Sequence, residues 1–117
     1  MNSRDTAALS AKILDKKKAY NVIIMDIGAK SSFADYFVLA SGNSERQVGS
    51  LADEVEGQLE KEGVRVKNIE GKPASGWILM DYGDVIINIF TSETRERYNL
   101  EKVWGDCEIV NMGVYNA

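Results

Sequence analysis

The stretch from Trp77 to Phe90, WILMDYGDVIINIF, constrains the fold of this chain more than any other. It is two apolar runs joined at Tyr82-Gly83-Asp84. Short runs rich in Ile and Val, bounded by turn residues, have the pattern of strands buried on more than one face. Gly83 tolerates the positive φ that a tight hairpin needs. The stretch therefore predicts an antiparallel hairpin in the middle of a sheet, with Asp81 and Asp84 flanking its turn. A hairpin apolar on both faces needs other elements packed over it.

The rest of the chain supplies those elements. Asp5 to Lys18 reads as a helix, with Leu9 and Ile13 on one face, Ala8 and Ala11 nearby, and Lys16 to Lys18 in the last turn. Asn21 to Ile27 and Asp35 to Ser41 read as strands, stopped by Gly28 and Gly42. Ser44 to Glu62 carries the strongest helical pattern, with Val48, Leu51, Ala52, Val55 and Leu59 at helical spacing and Gly63 as its stop. Ser44 and Gln47 fit a capping box at its start. Gly49 and Gly57 weaken its interior by up to about 1 kcal/mol each, so packing has to stabilise it.

Val64 to Glu70 alternates apolar and polar residues, as an edge strand does. Gly71 to Gly76 is a loop holding the only proline. After the hairpin, Ser92 is placed to cap a short helix to Tyr98, and Leu100 to Trp104 reads as another helical turn. Cys107 to Ala117 is either a last strand or a tail. The expected fold class is α/β: one domain, a mixed sheet of about five strands flanked by helices, with its core from about Asp5 to Asp106.

Composition narrows the chemistry. The 117 residues include no histidine and one cysteine, Cys107, and the net charge is -4. Without histidine there is no His-based triad, general base or metal site. One thiolate cannot build a zinc site either. An acidic chain is poorly suited to indiscriminate or direct nucleic-acid binding, which rests on Lys and Arg against phosphate. Lys16 to Lys18 is too short for a phosphate footprint and reads as a solvated helix end opposing the dipole. No apolar run approaches the ~18 residues of a membrane span, and no signal-like apolar core follows Met1, so the expectation is a cytoplasmic protein without membrane contact.

Two constellations remain. Asp26, Asp35, Asp81 and Asp84 lie at or near strand ends, and strand-end carboxylates can converge on magnesium. With Ser41-Gly42-Asn43-Ser44 at a helix start, they allow a nucleotide-transfer site. The bland reading is that Asp81 and Asp84 bond turn amides and Ser44 caps its helix. The aromatics Trp77, Tyr82, Tyr98 and Trp104 stand at the ends of elements, where such residues anchor interfaces or close a core. Met80 and Leu100 are further candidates for the same surface.

The chain also resembles a known family. Asp35 to Val48 (DYFVLASGNSERQV), Trp77 to Ile87 (WILMDYGDVII) and Arg97 to Asp106 (RYNLEKVWGD) are similar, in order and at the usual separations, to three motifs of the ribosomal silencing factor, or Iojap-like, family. Glu70-Gly71 and Ala52 to Val55 also fit. Asn88 stands where that family commonly has histidine, and Cys107 where alanine is common.

The resemblance implies a non-catalytic protein without cofactor or metal. It implies binding to the large ribosomal subunit through ribosomal protein L-fourteen, blocking the small subunit from joining and so repressing translation. It further implies a nucleotidyltransferase-like fold lacking the catalytic set, and a homodimer when free. Residue by residue, it nominates Trp77, Met80, Asp81, Tyr82, Asp84, Tyr98, Leu100 and Trp104 for the face that meets the ribosomal protein. The alternative is a divergent magnesium-dependent nucleotidyltransferase.

Overall fold

In a computed structural model, which describes residues 1–105 and 107–110, the chain opens with helix α1 (Ser3–Lys16) and strands β1 (Tyr20–Asp26) and β2 (Tyr36–Gly42). Helix α2 (Glu45–Lys61), strand β3 (Asn68–Glu70) and a 3-10 turn (Pro73–Ser75) lead to the hairpin of β4 (Trp77–Asp81) and β5 (Val85–Thr91). Short helices α3 (Ser92–Tyr98) and α4 (Leu100–Val103) and strand β6 (Glu108–Val110) complete the order. The strands form one mixed sheet in the order β3-β4-β5-β2-β1-β6. Among the described residues only β2 and β5 run parallel; every other neighbouring pair is antiparallel.

The expected hairpin sits where its apolar runs require, with β5 in the interior of the sheet. Gly83 takes φ +90° at the turn, and the Tyr82 N–H donates to the Val85 carbonyl at 2.9 Å. Alternation along β4 sends Ile78 and Met80 to one face and Trp77 and Leu79 to the other. Helices α1 and α2 lie over the first face. Leu14, Val48, Leu51, Val55 and Leu59 pack there on Ile24, Val38, Ile87 and Ile89 in one buried cluster.

The helix start at Ser44 differs from a reciprocal capping box. Ser44 Oγ accepts the Gln47 N–H at 3.1 Å, but Gln47 Oε1 accepts from Asn43 rather than from Ser44 itself. Gly49 has a packing reason: a Cβ there would lie 2.8 Å from Pro73 Cγ. The residue that weakens the helix lets the 3-10 turn approach it.

Three boundaries depart from the sequence reading. Of Val64 to Glu70, only Asn68–Glu70 pairs as a strand, and all three of its residues are exposed. Val64 and Val66 instead pack onto the helix-side core, which takes them out of the ladder. The cap of α3 is Thr91, whose hydroxyl accepts from Thr94, one residue ahead of the expected Ser92. A sixth strand forms from Glu108 to Val110 against β1. The remainder of the expected tail, 111–117, lies outside the described residues, as does residue 106.

Tyr82 continues the helix-facing series of β4 and is buried. Its hydroxyl has no hydrogen-bond partner among the described residues. Burial, reinforced by Glu56 and Glu60 on α2, pushes the phenol up from 10.0 to about 12. Because the folded value is raised, this contribution to stability is intact below pH 10.0 and is lost as pH rises through about 12. Tyr82→Phe is expected to keep or raise stability at neutral pH by up to about 1 kcal/mol, since it removes an unmet polar group. It is also expected to lose less stability than the parent between pH 10 and 12. Urea unfolding across that pH range measures both.

Candidate partner-binding face

The sheet face opposite α1 and α2 is only partly covered. Register places Trp77, Leu79 and Asp81 of β4 beside Phe90, Asn88 and Ile86 of β5. Phe37, Leu39 and Ser41 of β2 continue the same rows. Leu39 and Phe90 are buried, whereas Trp77, Leu79 and Ile86 are part-exposed. Leu100 and Trp104 pack over part of this face, in a cluster that includes Met25, Ile27, Phe37, Leu39 and Phe90.

Aromatic side chains do much of the covering, in two groups. Trp77 stacks on Phe90 with ring centroids 5.1 Å apart and meets Tyr98 at 4.6 Å. Phe37 and Trp104 meet edge to face at 5.5 Å, and Phe33 lies 6.3 Å from Trp104. Tyr98 and Phe33 remain 50% and 57% exposed, so each group has one ring open to solvent. The Trp77 indole N–H donates to Asn88 Oδ1 at 3.1 Å, which fixes the ring over the strand pair.

The structure divides the eight expected residues. Trp77, Tyr98, Leu100 and Trp104 gather on the part-covered face. Asp81 joins them by register, with its Oδ1 accepting the Gly83 N–H at 2.7 Å. Asp84 is exposed in the turn, and its carbonyl accepts from Asp35 and Tyr36, tying the hairpin to β2. Met80 and Tyr82 belong elsewhere: both are buried in the helix-side cluster, Met80 completely. Their parity on β4 is opposite to that of Trp77, so they build the fold and offer no surface on this face.

Sequence reasoning missed Arg95. It is 8% exposed and holds the corner between α3 and α4. Its guanidinium donates to Glu101 through Nε at 3.0 Å and Nη2 at 3.4 Å. Nη1 donates to the Asn21 carbonyl at 2.6 Å and to Ser41 Oγ at 2.9 Å. One side chain thereby joins β1, β2 and α4, the segment that carries Trp104. Nothing in the local sequence SETRERY separates Arg95 from Arg97. Leu79, Ile86 and Phe33 were also missed; position parity on the strands marks the first two.

The nucleotide-transfer arrangement does not assemble from the residues suggested for it. Asp26, Asp35, Asp81 and Asp84 lie at the hairpin-turn end of the sheet, where Asp26 pairs with Tyr36 and Asp81 with Ile86. The Gly42-to-Ser44 corner lies beyond the other end of β2. Seven strand residues separate the two ends, about 20 Å at the usual rise. Asp26 Oδ1 accepts from Gly28 and Asp81 from Gly83, as turn carboxylates do. Among the described residues no group of three acidic or cysteine side chains is placed to hold a metal ion.

The family model described as "Ribosomal silencing factor during starvation" matches residues 1–116. The chain is 37% identical to ribosomal silencing factor RsfS of Bacillus subtilis, over 96% of this chain and 95% of that one. It is 30% identical to mitochondrial assembly of ribosomal large subunit protein 1 of Mus musculus, over 79% of this chain and 42% of that longer one. A crystal structure of a protein from Chromobacterium violaceum superposes with a TM-score of 0.86 at 30% identity, covering 90% of this chain and 88% of that one.

Arg95→Met is expected to cost about 1–3 kcal/mol, because it leaves the buried Ser41 hydroxyl and the Asn21 carbonyl without their donor, while the Glu101 carboxylate is 39% exposed and can be solvated. Glu101→Gln, which keeps an acceptor, is expected to cost about 1 kcal/mol. Urea unfolding of both variants gives the order, and tryptophan emission reports whether the α3–α4 corner has moved.

Proposed function

Since the chain belongs to the ribosomal silencing factor family, we propose that it represses translation by occupying the large ribosomal subunit where the small subunit docks. The contact is ribosomal protein L-fourteen, reached by the part-covered sheet face. No catalysis, cofactor or metal enters this mechanism: an occupied surface excludes the second subunit sterically. The protein acts in the cytoplasm, does not read nucleic-acid sequence, and forms a homodimer when free.

One observation carries the reading. Trp77, Tyr98, Leu100 and Trp104, nominated by two separate sequence motifs, converge on the single sheet face that the two long helices leave uncovered. Large aromatic side chains with part of their area open are the usual anchors of a protein interface. Asp81 and Asp84 stand near the rim, with Lys67 over Gly83 between them, and the two carboxylates offer acceptors to a basic partner. The large-subunit assembly role printed in the name of the mouse relative is compatible with this target.

The protein is expected to sediment with free large subunits and not with translating ribosomes. Replacing both Trp77 and Tyr98 with Ala is expected to weaken that association by about 3 kcal/mol or more, roughly a hundredfold. Circular dichroism checks that the double variant folds. A folded double variant that binds as well as the parent removes this face from the contact.

A further inference from the structure

Leu100 and Trp104 are brought to the part-covered face by a segment with few means of holding its place. Trp104 meets Phe37 edge to face, and both Leu100 and Trp104 pack on the cluster that includes Leu39 and Phe90. Elsewhere the α3–α4 corner borders a cavity of about 410 Å³. Asn21, Ser41, Arg95, Asn99 and Glu101 are among the residues that line it, and every lining residue is polar or charged. No apolar packing closes the corner at this cavity, so hydrogen bonds have to fix it there.

Those bonds run through one side chain. Arg95 divides its guanidinium between the sheet and α4. Nη1 donates to the Asn21 carbonyl and to Ser41 Oγ, and Nε and Nη2 donate to the Glu101 carboxylate six residues on. The sheet is shaped for this arrangement. The register of β1 against β2 shifts between Tyr20 and Ile23, and Asn21, inside that shift, takes φ +51°. A residue in a bulge has no partner in the ladder, and the Asn21 carbonyl meets Arg95 at 2.6 Å instead. With one edge of the planar fork held by β1 and β2, the other edge accepts a carboxylate in one place only. Asn99, at φ +45°, both ends α3 and begins α4. Such an element-terminal residue is the usual place for a hinge, and Leu100 and Glu101 follow it directly.

We propose that Arg95 and Glu101 are positioning residues for docking: their ion pair sets where Leu100 and Trp104 lie when the partner arrives, and neither touches the partner. Opening the pair leaves α4 joined at Asn99 and at β6, which is paired with β1. The chain then stays folded while α4 turns about Asn99. A pair whose carboxylate is 39% exposed contributes little to global stability. It contributes much to the geometry of two anchors, since an anchor out of place loses its pocket on the partner. The proposal rests on the reading that this face docks a ribosomal protein, and it adds what fixes the geometry of the face.

The test compares Glu101→Ala, which removes the acceptor, with Glu101→Gln, which removes the charge and keeps an acceptor. In spectra of the ¹⁵N-labelled protein the Trp104 indole signal is expected to shift in Glu101→Ala and to stay near the parent position in Glu101→Gln. The Trp77 indole, held by Asn88, is expected to stay in both and serves as the internal reference. Glu101→Ala is expected to bind free large subunits about tenfold more weakly than the parent, and Glu101→Gln within about threefold of it. Adding Glu101→Ala to Arg95→Met is expected to weaken binding no further, because both remove the same pair. Circular dichroism checks that each variant is folded. An unmoved Trp104 signal in folded Glu101→Ala, or binding by it equal to the parent, overturns the proposal. Equal losses in the Ala and Gln variants overturn it too, since they make the Glu101 charge a direct contact. A parent that does not bind large subunits, with Trp104 displaced in Glu101→Ala alone, overturns the ribosomal reading and leaves the positioning of the face standing.

Discussion

The parallel pairing of β2 with β5 is the constraint on which the rest of the structure depends. It runs from Tyr36 opposite Val85 to Gly42 opposite Thr91. Parallel neighbours cannot be joined by a tight turn, so the chain between them needs a long crossover, and α2 is its main body. The pair also lies in the middle of the sheet, where both faces need cover. Val38, Ala40, Ile87 and Ile89 point to one side, and Leu39 and Phe90 to the other. Helix α2 answers the first demand, with α1 beside it. The second falls to the segment C-terminal to β5.

That segment has little helix to offer. Helices α3 and α4 have seven and four residues, lengths at which helix formation in isolation is negligible. Their position comes from side chains. Arg95 ties the corner to the Asn21 carbonyl, Ser41 and Glu101, and the rings of Tyr98 and Trp104 rest on Trp77 and Phe37. A buried guanidinium is tolerable there because each of its nitrogens has an acceptor. The cover it anchors is incomplete, and Leu79 and Ile86 remain part-exposed between the two aromatic groups.

Local pattern made most of the architecture legible. The hairpin, the two strands before α2 and the long helix all came from apolar spacing and from Gly63 and Gly83 at positions of positive φ. Parity in the hairpin was legible as well: Trp77 and Asp81 are odd, Met80 and Tyr82 even. Which parity faces the helices was not, since both runs are apolar and only the packing of α1 and α2 decides it. Arg95 was illegible for a related reason. Its acceptors come from Asn21, Ser41 and Glu101, residues brought together only by the folded sheet. The separation of the strand-end aspartates from Ser44 likewise depends on strand direction, which composition and spacing leave open.

The distribution of exposed apolar surface carries the same asymmetry further. Of the six large apolar side chains left exposed among the described residues, Met1 and Ile69 lie elsewhere, Ile69 in the row of Met80, and Phe33 and Tyr98 belong to the aromatic groups. Ile109 stands opposite Met25, in the row that includes Phe37 on the part-covered face. Val103 belongs to α4, next to Trp104. A scatter of such residues over the whole surface would be ordinary. Phe33, Tyr98 and Ile109, together with part-exposed Trp77, Leu79 and Ile86, make a patch on one sheet face that water covers at a cost and that a protein surface covers favourably. The opposite face shows what the chain does when it closes a sheet by itself: two helices, a continuous aliphatic core and complete burial of Ile87 and Ile89. The same β5 strand is thus sealed by this chain on one side and left for a partner to seal on the other.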